Sequence, residues 1–200
     1  MTRFAYMIFA FVPLIASCAS SPVPDFYLLS ADAPAANVRS DDIQLGIATV
    51  EVASYLDRPQ LVTLDSNNRL RIHDYERWAE PVRDGIRRVL VLNLGELLAS
   101  SRIRSMPWPR SEQPDWIVRC DVERLDVTAD RIVLVAAWRV ERTSTGRLMH
   151  TEMSRIEFER DSSALDNIAS DVSALLLTLS EDIADAIKRL STDDGANLSH

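Results

Sequence analysis

A cysteine near the N-terminus is the residue of this 200-residue chain whose surroundings predict a definite chemical step. Leu14-Ile15-Ala16-Ser17-Cys18 has the form of a bacterial lipobox, in which small residues precede a cysteine whose thiol takes a diacylglycerol through a thioether. The preceding apolar run, 4–15, is about 18 Å long as a helix, which is too short for a hydrocarbon core of about 30 Å. We therefore predict a signal peptide over 1–17 and a lipidated Cys18; the alternative is an ordinary signal peptide with a coincidental cysteine.

Lipidation at Cys18 predicts an anchored protein of the bacterial envelope. Each buried methylene of a lipid chain contributes about 0.8 kcal/mol, so the two or three chains of a bacterial lipoprotein, palmitate among them, should hold the protein permanently. Ala19 stands where an aspartate often retains lipoproteins in the inner membrane, which favours the periplasmic face of the outer membrane. Residues 18–25 form the lipidated cysteine and a short tether, whose last seven residues reach at most about 25 Å. We therefore expect the folded domain to lie close to the bilayer.

Other residue types that could do chemistry lack the spacing that catalysis or metal binding requires. The five glycines are dispersed and form no phosphate-binding loop, and the sequence has no Gly-x-Ser-x-Gly motif. His73, His150 and His200 have no metal-ligand spacing. We therefore expect no enzyme activity, no metal and no cofactor other than the lipid on Cys18. A catalytic triad assembled only by the fold would escape such a search, so a secreted hydrolase stays open as a hypothesis.

The net charge of −8 argues against a nucleic-acid partner, because phosphate backbones require clustered Lys and Arg. With Cys18 committed to lipid, Cys120 has no cysteine to pair with. It lies in an alternating pattern with Trp116, Val118 and Val122, which predicts a small, buried, apolar side chain. A reactive thiol is the alternative.

The apolar patterns predict one α+β domain over 26–190, followed by a loose tail over 191–200. We expect the order ββββ–α–ββββ–α, in a single mixed or antiparallel sheet with both amphipathic helices packed on one face. Pro81 should open the first helix, and the second should begin near Ser163. The expected strands are 26–29, 43–52, 60–64, 69–73, 102–106, 115–127, 131–141 and 147–159.

One loop between two predicted strands carries a conspicuous block, Tyr55-Leu56-Asp57-Arg58-Pro59, and Trp78-Ala79-Glu80-Pro81 follows at the start of the first helix. Asp57 and Arg58 could cap the loop through charge-assisted hydrogen bonds, a structural role that physical reasoning alone favours. The other interpretation is that these exposed residues bind a partner.

These segments resemble a known family. The lipobox, the Phe26-Tyr27-Leu28-Leu29 strand, the block continued to Gln60 and the Trp78-x-Glu80-Pro81 helix start are similar to the ABC-type transport auxiliary lipoproteins of the PqiC/YmbA group. The resemblance covers nearly all of the mature chain. Ala53 departs from the pattern, since relatives often have proline before the Tyr-Leu pair.

The resemblance implies a non-catalytic accessory subunit of an MCE-type, PqiABC-like lipid transport system. Such a protein would link the conduit formed by an MCE-domain protein, with its inner-membrane permease and ABC components, to the outer membrane, and would support membrane integrity. Its partners would be those proteins, phospholipid and further copies of itself, with Tyr55, Leu56, Asp57, Arg58 and Pro59 as the candidate partner-binding residues. The alternative is a structural envelope-assembly lipoprotein with no lipid-transfer role.

Overall fold

The computed structural model describes residues 22–38, 43–65, 67–160 and 163–197. Its elements follow the predicted order, and the α+β class is confirmed. The strands are β1 Asp25–Tyr27, β2 Leu45–Val52, β3 Gln60–Leu64, β4 Leu70–Trp78, β5 Ile103–Ser105, β6 Trp116–Val127, β7 Arg131–Arg142 and β8 Arg147–Glu159. The helices are α1 Val82–Leu97 and α2 Ile168–Asn197, with short 3-10 turns at Arg110–Glu112 and Leu165–Asn167.

The strands form two sheets, where the sequence predicted one. The smaller sheet has the order β1-β4-β3 and the larger has the order β5-β2-β6-β7-β8. Both sheets are mixed: β1 is parallel to β4, and β2 is parallel to β5 and β6, whereas the hairpin pairs are antiparallel. Apolar alternation along a strand gives its faces and not its neighbours, so the sequence pattern could not show this division.

Both helices pack on one face of the five-stranded sheet, as predicted. Helix α1 contacts β2 and β5, while α2 contacts α1, β7 and β8. We call this side of the sheet the helix face; Val118, Leu134 and Ile156 point into it and are buried. The hydroxyl of Ser154, which lies on the same face, donates a hydrogen bond to Asp182 of α2 over 2.8 Å. The opposite side, with Arg119, is called the open face.

The nearly continuous apolar run 132–138 predicts a central strand that is covered on both faces. Strand β7 lies between β6 and β8 and so has a neighbour on each side. Its helix-face residues are buried throughout, from Ile132 to Val140. On the open face of β7 only Val133 is buried, so the expected cover of both faces is restricted to one end of the strand.

A segment after β1 lies across the two helices and is held by polar side chains. The buried side-chain oxygen of Asn93 accepts hydrogen bonds from the backbone N–H groups of Asp32 and Ala33, each over 3.1 Å. The hydroxyl of Ser173 accepts one from the N–H of Ser30 over 3.0 Å. Asn93 interrupts the apolar stripe of α1 because it serves this segment and not the core.

The C-terminal end differs from the prediction. Helix α2 continues to Asn197, so residues 191–197 are helical and not the loose tail expected from Ser191. The lack of an apolar stripe after residue 190 predicts that the helix ends there. Backbone hydrogen bonds can nevertheless continue a helix that has no buried face, provided that no residue breaks it. The tail residues 198–200, with His200, lie outside the described residues. Among the described residues, no helix is both long and apolar enough to cross a membrane.

Candidate functional site

The predicted partner-binding block forms the connection between β2 and β3, at the end of β6 that turns into β7. Its first residue, Tyr55, turns inward and is half-buried. The Tyr55 hydroxyl accepts a hydrogen bond from the N–H of Leu125 over 3.0 Å and lies 3.3 Å from a carboxylate oxygen of Asp126. Burial, followed by the nearby Asp126 charge, raises the pKa of Tyr55. This side chain therefore fixes the loop to the larger sheet.

The middle of the block divides between core and surface. Leu56 is buried in the core, at 6 % exposure. Asp57 is exposed and pairs with Arg83 of α1, whose pKa is raised by that carboxylate. The loop is thus joined to the first turn of the helix by an ion pair, which is the structural role that the sequence left open for Asp57.

The end of the block contains an arginine, Arg58, that makes no ion pair with any residue in the described part of the chain. Arg58 is half-buried, and its Nε is shielded from solvent with no hydrogen-bond partner among the described residues. The Pro59 carbonyl accepts a hydrogen bond from the N–H of Trp78 over 2.7 Å, which ties the loop to the end of β4. Of the five predicted residues, Arg58 is the one whose polar group is not used by the fold.

Three of the four segments that carry the family resemblance meet at the smaller sheet. The Tyr27 carbonyl accepts a hydrogen bond from the N–H of Ala79 over 2.8 Å, next to the Pro59–Trp78 bond. One residue further, the Glu80 carboxylate accepts hydrogen bonds from Arg88, which also donates to the Leu29 carbonyl over 2.8 Å. We call this arrangement the motif junction. The most distinctive sequence segments therefore hold β1, β3, β4 and the start of α1 together.

Of the two cysteines, the structure describes Cys120. Cys18 lies outside the described residues, so its lipidation stays a prediction. Cys120 is 1 % exposed and makes no disulfide, and burial raises the pKa of its thiol to about 12. This burial confirms the prediction of a small buried side chain at Cys120. The raised pKa argues against the alternative of a reactive thiol, because a thiol with that pKa stays protonated near neutral pH.

The two histidines that the structure describes have local partners. His73 lies 2.9 Å from the Thr63 hydroxyl, and burial lowers its pKa. His150 contacts Glu152 over 2.9 Å and lies beside the Trp138 ring. Within the described ranges no group of His, Cys, Asp and Glu could hold a metal ion.

Sequence reasoning missed a cleft beside the loop. It has a volume of about 760 Å³ and lies between the β3–β4 hairpin, the β6–β7 turn and the end of β8. Five arginines line it, namely Arg71, Arg124, Arg131, Arg155 and Arg160. They come from separate segments with no shared motif, so no sequence signal could have brought them together.

Comparison with known families identifies the chain. The family model described as ABC-type transport auxiliary lipoprotein component matches residues 27–184. The chain belongs to this family. The match contains both sheets except for the start of β1, all of α1 and much of α2.

Solved structures share the fold at low sequence identity. The crystal structure of an uncharacterised protein has a TM-score of 0.67 at 19% identity, over 83% of this chain and 99% of that chain. Protein XCC0632 from Xanthomonas campestris, of the DUF330 family, has a TM-score of 0.68 at 13% identity, over 86% of this chain and 99% of that chain. A PelC dodecamer from Paraburkholderia phytofirmans is more distant, with a TM-score of 0.44 at 14% identity over 73% and 92% of the two chains. No curated protein sequence matches the chain.

Membership gives this lipoprotein its broad role. Its family is that of auxiliary lipoprotein components of ABC-type transport systems, which suggests a non-enzymatic role. An auxiliary role depends on contacts with partners, the membrane or a transported compound.

Proposed function

We propose that this lipoprotein is a non-catalytic accessory subunit of an MCE-type lipid transport system, anchored through Cys18 at the periplasmic face of the outer membrane. The observation that carries the proposal is the family match over 27–184 in a chain that begins with a lipobox. In this role it connects an MCE-domain conduit and its inner-membrane permease to the outer membrane, as one of several copies, and supports membrane integrity.

The surface next to the tether supports a position against the bilayer. Three apolar side chains at the start of the fold are exposed, namely Val23 at 84%, Phe26 at 64% and Leu28 at 58%. Phe26 is eight residues from Cys18 in the sequence. A lipid anchor at that distance brings these side chains within reach of the membrane interface, where burying them is favourable.

The Tyr55–Pro59 loop supports a docking role through its one unused cation. Tyr55, Leu56 and Asp57 hold the loop in a fixed conformation, so a partner would not have to order it on binding. The Nε of Arg58 has no acceptor among the described residues but is shielded from solvent, so a partner would bind the terminal nitrogens of the guanidinium. A carboxylate on an MCE-domain protein fits this group, because arginine binds carboxylates through two parallel hydrogen bonds.

The test is purification of the acylated full chain from its native envelope in a mild detergent after in-cell cross-linking, with mass spectrometry of co-purified proteins and lipids. We expect an MCE-domain protein and phospholipid. Replacing Arg58 by Gln should reduce recovery of that protein severalfold. The control is R147Q, which removes an exposed arginine from the β7–β8 turn at the far end of the sheet.

Two results would each contradict one part of the proposal. Recovery of envelope-assembly proteins with neither an MCE-domain protein nor phospholipid would favour the scaffold alternative. Equal recovery from R58Q and the wild type would leave the transport role intact and remove the loop from it. Release of the protein from membranes by the Cys18→Ala substitution should accompany loss of both partners.

A further inference from the structure

The arginine-lined cleft has a floor and a wall from different parts of the chain. The floor is the open face of the five-stranded sheet near the β6–β7 turn, where Arg124, Val133 and Arg155 lie on adjacent strands. The wall is the β3–β4 hairpin, from which Arg71 and His73 line the cleft. The volume of about 760 Å³ is that of a typical small-molecule site.

The cleft is lined by more basic than acidic residues, whereas the whole protein has more acidic than basic residues. The chain has 22 basic and 30 acidic residues, yet five arginines and three aspartates line the cleft. The aspartates are already engaged. Asp65 accepts hydrogen bonds from Arg69 and the turn backbone, Asp126 pairs with Arg124, and Asp130 accepts one from the Thr128 hydroxyl over 2.7 Å. The three carboxylates are therefore already occupied by protein groups and are not available to bind a ligand.

Positive charge, in contrast, is incompletely matched. Arg71 is exposed, and no acceptor for its guanidinium occurs among the described residues. Arg131 and Arg155 share the single carboxylate of Glu157, at 3.4 and 2.8 Å. Glu157 is one carboxylate for two guanidinium groups, but Asp130 also interacts with Arg131, so the positive charge that stays unmatched lies mainly on Arg71 of the wall.

The fifth arginine is structural and fixes the end of the cleft. The Arg160 side chain is 2% exposed and donates to Asp171 of α2 and to the carbonyl of Thr128, both over 2.7 Å. Tyr55 fixes the neighbouring Asp126 from the other side. The cleft is therefore held between rigid elements, an arrangement that lowers the cost of ordering a bound ligand.

Apolar side chains complete the lining and narrow the chemistry of the ligand. Leu64, Val133 and Leu165 line the same cleft. We propose that the cleft binds a phosphate-bearing anion, with Arg71 and Arg155 as the main donors and with the apolar lining against the organic part of a phosphate ester. Guanidinium groups suit this task because their planar donors match pairs of phosphate oxygens. Identifying the ester as a lipid headgroup rests on the transport role proposed above, whereas phosphate binding itself does not.

Binding is measured on the acylated full chain in a neutral maltoside detergent, which is itself an amphiphile without phosphate. Inorganic phosphate, sn-glycerol 3-phosphate and dihexanoyl phosphatidylglycerol are titrated separately by calorimetry. We expect phosphatidylglycerol to bind tightest. R71Q and R155Q should each weaken binding about tenfold or more, the usual effect of removing a charged hydrogen-bond donor.

The matched control is R119Q on the same open face at the other end of β6. It removes an arginine from Glu141, which keeps its contact with Arg139 over 3.1 Å, and Arg119 does not line the cleft. Binding by R119Q should equal that of the wild type, and unfolding midpoints in urea should show that all three variants fold.

Failure can be assigned to one part of the proposal. If none of the three compounds binds, or if R119Q weakens binding as much as R71Q, the phosphate site is wrong. Equal affinity for inorganic phosphate and phosphatidylglycerol, with the R71Q and R155Q effects intact, would keep the site and overturn the lipid headgroup as its ligand. Neither result depends on recovery of an MCE-domain partner.

Discussion

The two faces of the five-stranded sheet use the same strands for opposite purposes. On the helix face, Val118, Leu134 and Ile156 are buried under α1 and α2. On the open face, Arg119 and Arg139 share Glu141, and Arg131 and Arg155 share Glu157. Alternate residues of one strand thus meet either a dry core or a partly solvated charge network.

The difference between the two faces indicates which one stabilises the fold and which one is available for binding. Burial of apolar area on the helix face supplies most of the free energy of folding, whereas partly exposed ion pairs contribute little. The charged residues of the open face are therefore available for binding. They are most concentrated in the cleft, beside the β3–β4 hairpin. Substitutions on neighbouring residues can test this division.

The largest effect should come from a helix-face residue of β7. Leu134→Ala should lower the free energy of unfolding by about 3 kcal/mol, because it leaves a cavity under the helices. Val135→Ala, on the open face of the same strand and half-buried, should cost less than about 1.5 kcal/mol. Urea unfolding followed by circular dichroism measures both. Similar costs for the two would mean that the faces do not differ as described.

The second-largest loss of stability should come from a buried polar residue of α1, Asn93. Asn93→Ala should cost about 2 kcal/mol, because it leaves the N–H groups of Asp32 and Ala33 without their acceptor. Amide hydrogen exchange at these two residues should accelerate in the variant. Unchanged exchange would show that the segment is held by its apolar contacts alone. Asn167→Ala, at an exposed position before α2, is the control.

The loop that joins β2 of the larger sheet to β3 of the smaller sheet should give a smaller effect. Tyr55→Phe removes the hydroxyl that accepts from the Leu125 N–H and lies next to Asp126. We expect a loss of about 1 kcal/mol in the free energy of unfolding, and a weaker cleft affinity if Asp126 moves. A substitution without effect on stability would mean that water replaces the hydroxyl and that the loop is held at Leu56 and Pro59.

The smallest effect should be on the open face away from the cleft. Arg119→Ala should change the free energy of unfolding by less than about 0.5 kcal/mol, because the pair with Glu141 is partly exposed and Arg139 remains. Unfolding curves in low and high salt should overlap for the variant and the wild type. A loss above about 1 kcal/mol would show that the charge network is a stability element.

The sequence was sufficient for features that depend on neighbours along the chain. Alternation of period two located the strands, although β4 continues to Trp78, beyond the expected 69–73, and the stripe beginning at Val82 located α1. Buried Cys120 followed from its place in such a pattern. The lipobox ending at Cys18 is likewise a local pattern, which an enzyme reads in an extended chain, so folding is not needed to recognise it.

Only the tertiary structure decided what depends on residues far apart in the chain. The separation into two sheets and the helical continuation past Ser191 gave no local signal. The Tyr55–Pro59 block was visible in the sequence, but its fixation by Leu125, Arg83 and Trp78 was not. The cleft required Arg71 and Arg155, 84 positions apart, to line one space. The distance in space between residues that are far apart in the chain depends on strand order and loop closure. The spacing of those residues along the sequence does not indicate it.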